Sequence, residues 1–173
     1  MALPSDYTGQ ACSLARSLEV IGERWTLLVV RDAFYGVTRF NDFAAHLKMP
    51  RAVLTTRLAS LVDAGVLERA CMRTKRSEYL LTAKGLALWP ILLSMTTWGD
   101  EFYAAAGPRR VFLHDTDGAP LGVGSVCTKC GQSVGPADVV VAPGPGLGPV
   151  TEDCDIVTKT LARPRRLLTP IEP

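Results

Sequence analysis

The stretch PRAVLTTRLASLVDAGVLER, residues 50–69, places an apolar stripe and a polar face on one short predicted helix. Apolar residues that recur at helical spacing mark the side that packs on a protein core. They are Leu54, Leu58, Leu61 and Val62. The other side carries hydroxyls and a guanidinium, from Arg51, Thr55, Thr56 and Ser60. Pro50 suits the first position of the helix and Gly65 the position after its C-cap, so we expect the helix to occupy residues 51–64.

The chain before this stretch predicts three further helices. Apolar spacing indicates a first helix from near Cys12–Ser13 to Gly22, and a second, more deeply buried helix that ends at Gly36. Residues 40–47 predict a short third helix, and Met49–Pro50 interrupts the chain before the helix of the opening stretch. A short helix, a tight turn and a second helix form a helix-turn-helix.

The chain after the opening stretch predicts a hairpin and a long helix. Residues 66–71 and 78–81 favour strands, joined by a basic tip. Thr82 suits the N-cap of a last helix that runs through Phe102, with Pro90 as a kink or a local break. Because the basic hairpin directly follows the second helix of the helix-turn-helix, the motif is predicted to be a winged one.

The composition changes near residue 104. Nine of the fifteen glycines and nine of the twelve prolines lie in residues 104–173, which indicates turns, short strands and a loosely held tail. We predict a winged helix-turn-helix domain over residues 1–105 and a small extension, rich in β-structure and loops, over residues 106–173. The predicted fold class is mainly α with a small β-hairpin wing.

The charge of the chain is unevenly distributed. The whole chain carries a net charge of only +2, but residues 48–84 contain eight basic and three acidic residues, a net charge of +5. A basic segment inside a near-neutral chain is typical of a surface that contacts a polyanion. A solvated charged surface would give the same count.

The polar face of the predicted helix has the chemistry that the DNA major groove requires. Arginine can bind guanine by two hydrogen bonds or hold a phosphate, and threonine can donate to phosphate and place its methyl group against thymine. The residues predicted to contact DNA from this helix are Arg51, Thr55, Thr56, Arg57 and Ser60. Those predicted to contact phosphate near the start of the third helix are Thr38, Arg39 and Asn41. Those predicted to reach phosphate or the minor groove from the wing are Arg73, Lys75 and Arg76.

Several segments resemble the HxlR-type winged helix-turn-helix regulators, which are MarR-like. The segments are Cys12 at the start of the first helix, VIGERWTLLVVRD at 20–32, RFNDF at 39–43, LTTRLASLVDAGVLER at 54–69, EYLLTAKG at 78–85 and WG at 98–99. The resemblance covers nearly all of residues 11–103, in order and spacing. It implies a homodimeric bacterial transcription regulator that binds double-stranded DNA. The first and last helices would form the dimer, and two recognition helices would enter successive major grooves of a near-palindromic operator.

Cys12 matches a position where many members of that family carry a cysteine, which in some of them senses electrophiles or oxidants. A helix N-terminus favours the reactive thiolate, so the role is physically reasonable. The alternative is a small buried residue at the dimer interface. The resulting hypothesis is a repressor that responds to a thiol-reactive signal or to a small-molecule effector.

Cys127 and Cys130 lie in CTKCG, a knuckle of the kind that binds zinc. A structural zinc ion needs two more ligands, and the candidates are His114, Asp117 and Cys154. Some longer members of the family carry a second Cys-Gly pair after a histidine that matches His114, whereas this chain has HDTDG, with Asp117 in place of the cysteine. The alternatives are a reduced pair that holds a turn, and a redox-active dithiol.

The remaining features limit the class of protein. We find no catalytic constellation and no glycine-rich phosphate loop between a strand and a helix, so we expect no enzyme. Five scattered cysteines, the lack of a secretion leader and the short apolar stretches favour a cytoplasmic protein without a membrane span. The alternative function is a zinc-ribbon or protein-interaction module that keeps the winged-helix shape without reading DNA.

Overall fold

The order of helices and strands is that of the predicted winged helix-turn-helix. The structure, a computed structural model, describes Tyr7 and residues 9–71 and 77–172. Four helices come first: α1 (Ser13–Ile21), α2 (Thr26–Phe34), α3 (Phe40–Leu47) and α4 (Arg51–Asp63). The hairpin and two more helices follow: β1 (Leu67–Cys71), β2 (Ser77–Leu81), α5 (Ala83–Leu86) and α6 (Trp89–Tyr103). The predicted fold class is confirmed.

Helix α4 turns its leucine stripe to the core, as the sequence predicts. Leu54, Leu58 and Leu61 are buried, and Val62 is half-buried. Helices α2 and α3 both pack against α4. The apolar side of α4 therefore fixes the helix on the domain, and its polar side remains exposed.

The two ends of α4 are set by Pro50 and Gly65. Pro50 is the N-cap residue of α4, whereas the sequence predicted it at the first helical position. Its extended ψ ends the turn that leads from α3. Gly65 adopts a left-handed φ of +67°, and the N–H of Val66 donates to the carbonyl oxygen of Leu61 at 2.9 Å. This is a Schellman motif, and it confirms Gly65 as the residue that ends the helix.

A buried carboxylate connects α2 to α3. Asp32 is fully buried, and one of its oxygens accepts two hydrogen bonds from Arg31. They come from Nε at 2.9 Å and from a terminal guanidinium nitrogen at 2.7 Å. The other oxygen lies 2.7 Å from Nδ1 of His46 on α3. Because a buried charge needs partners on all sides, these contacts hold the two helices at one relative position.

The wing is attached to the helix-turn-helix at its base. Strands β1 and β2 pair antiparallel, with Leu67 opposite Leu81, and the N–H of Tyr79 donates to the carbonyl oxygen of Thr38 at 2.8 Å. The predicted basic tip lies outside the described residues, together with Arg73, Lys75 and Arg76.

The predicted last helix consists of two helices. Thr82 caps α5, where its hydroxyl oxygen accepts from the N–H of Gly85 at 3.1 Å. The chain then turns at residues 87–88, and α6 begins at Trp89. Pro90 therefore occupies the first turn of α6, where a missing N–H disrupts no helical hydrogen bond. Of the two predicted effects of Pro90, the local break is the correct one.

Besides two short 3₁₀-helices, the described part of the extension contains five short strands and one short α-helix. They are β3 (Arg110–His114), β4 (Leu121–Gly122), β5 (Val126–Cys127), β6 (Val139–Pro143), α7 (Ile156–Thr160) and β7 (Arg165–Arg166). An antiparallel sheet has the order β3–β6–β7, and β4 pairs with β5 in a separate small ladder. The extension is thus rich in short strands and turns, as predicted.

The extension and the winged helix share one apolar core around Trp89. The Trp89 ring is 2% exposed, and it packs between Phe34 of α2 and Phe112 of β3 at centroid distances of 5.4 Å in both cases. Buried residues of both parts belong to the same cluster. The division at residues 105 and 106 stays a prediction.

The C-terminal tail is packed, although its composition predicted a loosely held one. Leu167 and Ile171 are buried. The N–H of Leu168 donates to the carbonyl oxygen of Phe34 at 2.8 Å, and that of Ile171 to Gly36 at 2.9 Å. Glycine and proline disfavour regular secondary structure in this part of the chain. The tail is held instead by these backbone hydrogen bonds to the end of α2.

None of the helices in residues 9–71 and 77–172 is long and apolar enough to cross a membrane.

Substitution of Gly36 by alanine is expected to destabilise the protein strongly. Gly36 has a φ of +89°, and a Cβ there would lie 1.8 Å from the carbonyl oxygen of Thr169. Gly65→Ala is the matched control, because Gly65 is also left-handed but a Cβ there meets nothing within 4 Å. Denaturant unfolding should show a loss of about 1–2 kcal/mol for Gly65→Ala from the left-handed backbone alone, and a clearly larger loss for Gly36→Ala. Equal losses would show that the tail does not close on α2.

Candidate nucleic-acid interface and cysteine cluster

The exposed side of α4 carries the predicted DNA-contacting residues. Arg51, Thr55, Thr56 and Ser60 are all exposed. The hydroxyl of Thr55 donates to the carbonyl oxygen of Arg51 at 2.9 Å, and that of Thr56 to Ala52 at 3.1 Å. These bonds restrict the threonine rotamers, so the face presents short side chains in fixed positions.

Arg51 is held in place by two neighbours from α3. Its guanidinium donates to Oδ1 of Asn41 at 3.0 Å and lies over the ring of Phe40, 4.7 Å from the centroid. Both contacts link the start of α3 to the start of α4. Because the side chain is ordered in advance, less rotamer entropy is lost when the guanidinium binds a partner.

The other predicted contact residues differ in accessibility. Arg39 is half-buried, with Nε 3.6 Å from a carboxylate oxygen of Glu78, and Arg57 is half-buried, with Nε 3.6 Å from a carboxylate oxygen of Glu23. Thr38 is only 7% exposed. The structure therefore places Arg51, Asn41 and the α4 hydroxyls on one exposed surface, with Arg39 and Arg57 half-buried and Thr38 buried.

A second exposed surface, here called the apolar face, lies on α1 and α6. It consists of Leu14 and Leu18 on α1 and of Ile91, Met95, Trp98 and Phe102 on α6. Met95 is 54% and Trp98 56% exposed, and the α6 residues recur at spacings of four, three and four, which place them on one side of the helix. Several large apolar side chains exposed on one side of a helix indicate an interaction surface.

Cys12 is exposed and is the N-cap residue of α1. Its side chain makes no capping hydrogen bond to the helix. The thiol is therefore accessible to a small reagent, and Cys12 precedes Leu14 of the apolar face by two residues.

A cavity of about 280 Å³ lies between α2, α6 and the start of β3. Its walls include the apolar side chains of Leu92 and Met95 and the guanidinium of Arg110. Burial lowers the pKa of Arg110, and a buried tyrosine, Tyr35, also lines the cavity. The combination of apolar walls and a partly desolvated cation suits a small molecule with an apolar body.

The two knuckle cysteines meet a histidine and an aspartate from the turn after β3. The ligand atoms of His114, Asp117, Cys127 and Cys130 all lie within 4.8 Å of one another. The sulfur of Cys127 lies 3.5 Å from an oxygen of Asp117, and that of Cys130 lies 3.6 Å from Nδ1 of His114. A cluster of these donor types can hold a metal ion. Of the three candidates for the remaining ligands, the structure brings His114 and Asp117 to the knuckle.

The surroundings shift the pKa of these groups. The backbone of Cys130 lowers the pKa of the Cys127 thiol, and the N–H of Ala119, which donates to Asp117 at 3.0 Å, lowers the pKa of that carboxyl. The hydrogen bond with Cys127 raises the pKa of His114. Desolvation raises the pKa of the second thiol, Cys130. The surroundings therefore stabilise the charged forms of Cys127, Asp117 and His114 and disfavour that of Cys130.

Cys154 lies apart from this cluster. Its sulfur accepts from the N–H of Thr151 at 3.4 Å and lies 3.7 Å from the hydroxyl of Thr151.

The two cysteines of the knuckle differ in accessibility. Cys127 is buried and Cys130 exposed, so a reagent in solution reaches the knuckle through Cys130.

Comparison with known proteins agrees with this arrangement. Residues 20–106 match the HxlR-like helix-turn-helix family. The chain is 39% identical over 137 residues to the uncharacterized HTH-type transcriptional regulator Rv3095 of Mycobacterium tuberculosis, which covers 78% of this chain and 87% of Rv3095. It is 30% identical over 103 residues to the uncharacterized HTH-type transcriptional regulator YdeP of Bacillus subtilis, covering 56% of this chain and 80% of YdeP.

One solved structure is similar over most of the chain. The candidate transcription factor PA1607 superposes with a TM-score of 0.56 at 33% identity, covering 87% of this chain and 96% of PA1607. The 87% of this chain that is matched is longer than the predicted winged helix-turn-helix domain, residues 1–105. The similarity therefore continues into the extension.

Proposed function

The chain belongs to the HxlR-like helix-turn-helix family and is a transcriptional regulator, and we propose that it reads duplex DNA as a homodimer through the exposed side of α4. The observation that carries this proposal is the fixed position of the Arg51 side chain. Its guanidinium is fixed by Asn41 and Phe40 at the exposed start of a helix whose other side is anchored in the core. An arginine fixed at the N-terminal end of such a helix suits contact with a base edge or phosphate in the major groove.

The rest of the α4 surface supports the same function. Between residues 51 and 60 the exposed positions carry no acid, so no like charge opposes the DNA phosphates. Short hydroxyl side chains allow close approach of the helix to the groove floor. Arg39 and Arg57, which flank this surface, would exchange their carboxylate partners for phosphates, and the wing residues Arg73, Lys75 and Arg76 complete the proposed footprint.

The proposed dimer forms through the apolar face. In the single chain the six side chains of the apolar face are 40–66% exposed, and a second copy supplies the same surface in a two-fold arrangement. Two copies of α4 related by that axis suit two half-sites of a near-palindromic operator. The apolar face thus sets the distance between the two recognition helices.

The proposed regulation is repression that a thiol-reactive compound or a small-molecule effector relieves. Cys12 is exposed at the start of α1, the helix that carries Leu14 and Leu18 of the apolar face, so its modification would change the packing of the dimer. The cavity beside α6 is the candidate site for an effector. Either signal acts only if it favours one arrangement of the dimer over the other.

We also propose that the extension binds one zinc ion at the knuckle. The support is the donor set, because two cysteine sulfurs with a histidine and a carboxylate suit zinc better than a hard cation such as magnesium or calcium.

Arg51→Ala is expected to weaken DNA binding by about 5- to 150-fold, the equivalent of 1–3 kcal/mol, because it removes a fixed groove contact. The measurement is a titration of duplex that the wild-type protein has selected from a random pool. Thr55→Ala should weaken binding less. Arg163→Ala is the matched control, since it removes the same charge from an exposed position far along the chain. If Arg51→Ala and Arg163→Ala bind alike, α4 is not the reading helix.

Trp98→Glu, combined with Met95→Glu, is expected to convert the dimer to a folded monomer. Two carboxylates on the apolar face cannot be desolvated without partners, so association is lost while the chain's own core is untouched. Sedimentation gives the oligomeric state and circular dichroism the fold. Ala59→Glu, on the exposed side of α4, should remain dimeric. A Trp98→Glu, Met95→Glu protein that still sediments as a dimer would place the interface elsewhere.

Cys12→Ser is expected to abolish the response of DNA binding to hydrogen peroxide. In the wild type, peroxide oxidises the thiol to sulfenic acid with release of water, which places a polar group beside the apolar face. DNA affinity is measured before and after treatment, with Cys154→Ser as the control that keeps Cys12. If the wild type and Cys12→Ser respond equally, the sensor is not Cys12.

A further inference from the structure

We infer that His114, Asp117, Cys127 and Cys130 are the four ligands of a closed tetrahedral zinc centre, and that the ion fastens the extension to helix α6. This inference rests on the proposed metal binding, and it specifies the ligands and the effect of the ion. It follows from three observations: the shape of the two turns, the distances between their donor atoms, and the contacts of the residues that lead into the knuckle.

The two turns have the same design. HDTDG at 114–118 and CTKCG at 127–131 each place two ligand residues three positions apart, followed by a glycine. Both glycines are left-handed, with φ of +68° at Gly118 and +71° at Gly131. In each turn the N–H of the glycine donates to the carbonyl oxygen of the first ligand residue, at 2.8 Å for His114 and 3.0 Å for Cys127. HDTDG is therefore a second knuckle in which histidine and aspartate replace the two cysteines.

Backbone hydrogen bonds hold the two knuckles against each other. The N–H of His114 donates to the carbonyl oxygen of Ala119 at 2.8 Å, and the N–H of Thr128 donates to that of Pro120 at 3.0 Å. The hydroxyl of Thr128 donates to the same oxygen of Pro120 at 2.9 Å. The segment between the turns is thus tied to both, so the four ligand residues converge on one point.

Three of the six distances between the donor atoms are those of a zinc tetrahedron, and all six are within 4.8 Å. With Zn–S of about 2.3 Å and Zn–N or Zn–O of about 2.0–2.2 Å, neighbouring ligand atoms stand about 3.3–3.8 Å apart. Oδ1 of Asp117 lies 3.6 Å from the sulfur of Cys127 and 3.4 Å from Nδ1 of His114, and the same Nδ1 lies 3.6 Å from the sulfur of Cys130. The donor on His114 is Nδ1 in both of its contacts.

The donor set, two of whose residues are buried, indicates a structural site. Two sulfurs, one imidazole and one carboxylate fill all four positions of a tetrahedral zinc ion, so no position is left for a reacting water. Cys127 is only 1% exposed, and His114 is buried as well. A dication at the centre would also offset the repulsion between the carboxylate and two thiolates at these short distances.

The residues before the knuckle are docked on α6. The indole N–H of Trp89 donates to the hydroxyl oxygen of Ser125 at 2.6 Å, and this hydroxyl donates to the carbonyl oxygen of Val134 at 2.6 Å. The N–H of Gly124 donates to the hydroxyl of Ser94 at 3.1 Å. Because Ser125 is two residues from Cys127, an ion that fixes the knuckle also fixes this contact with α6.

The test measures metal content first. The full chain, purified without chelator, should contain one zinc ion, and Co²⁺ that replaces it should show the visible absorption of a tetrahedral cobalt centre and a sulfur-to-metal charge-transfer band. Cys154→Ser is the matched control and should retain both. A wild-type chain that holds neither zinc nor cobalt would overturn metal binding itself, while the proposal for DNA reading would be unaffected.

The ligand set is tested with Asp117→Ala and Cys130→Ser. Competition with a chromophoric chelator should show at least about a 100-fold loss of zinc affinity for each, since even residues that only orient ligands change affinity by 10- to 100-fold. Asp138→Ala, a carboxylate outside the cluster, should leave the affinity unchanged. Zinc that binds to Asp117→Ala with wild-type affinity and an unaltered cobalt spectrum would overturn the four-ligand centre.

The fastening role is tested on the wild-type chain, so that no variant has to fold. Removal of zinc by chelation should accelerate amide hydrogen exchange in residues 121–134 and shift the indole N–H resonance of Trp89, and addition of zinc should reverse both. A chain that binds zinc but exchanges equally fast in these residues with and without it would show that the ion does not hold the extension on α6.

Discussion

The position of Trp89 determines how the two parts of this protein fit together. Its ring fills the space between α2 and β3, and its indole N–H reaches the hydroxyl of Ser125 in the loop that leads to the cysteines. One side chain thereby connects the helix-turn-helix, the long helix α6 and the extension. A buried indole needs a hydrogen-bond partner as well as apolar neighbours. Here the partner, Ser125, and one neighbour, Phe112, come from the extension, and the other neighbour, Phe34, comes from α2.

The two sides of α4 show how a core constraint produces a binding surface. Leucines at every third or fourth position commit one side of the helix to the interior, and the Schellman turn at Gly65 ends the helix so that the wing can follow at once. The remaining side is then exposed at a defined angle. Arg51 is the long side chain of this surface that is held in one position, because its guanidinium donates to Asn41 of the neighbouring helix.

The sequence was sufficient for the features that depend on local pattern, which include the helices through α4, the glycine that ends α4 and the knuckle at Cys127. The features it did not resolve depend on contacts between distant residues. Pro90 was compatible with a kink or a break, and packing around Trp89 decided between them. His114, Asp117 and Cys154 were equal candidates as ligands until the turn after β3 was placed beside the knuckle. The repeated spacing of HDTDG and CTKCG was present in the sequence, but its meaning depends on the pairing of the two turns.

The packing of residues 167–171 against the end of α2 affects how the chain folds. The N–H groups of Leu168 and Ile171 donate to the carbonyl oxygens of Phe34 and Gly36, which lie 134 and 135 positions earlier in the sequence. The helix-turn-helix can acquire its local structure early, because its contacts are short in sequence. Its final packing must wait until these two distant segments meet. Until then one edge of the apolar core is uncovered, and this exposed surface favours aggregation of the partly folded chain.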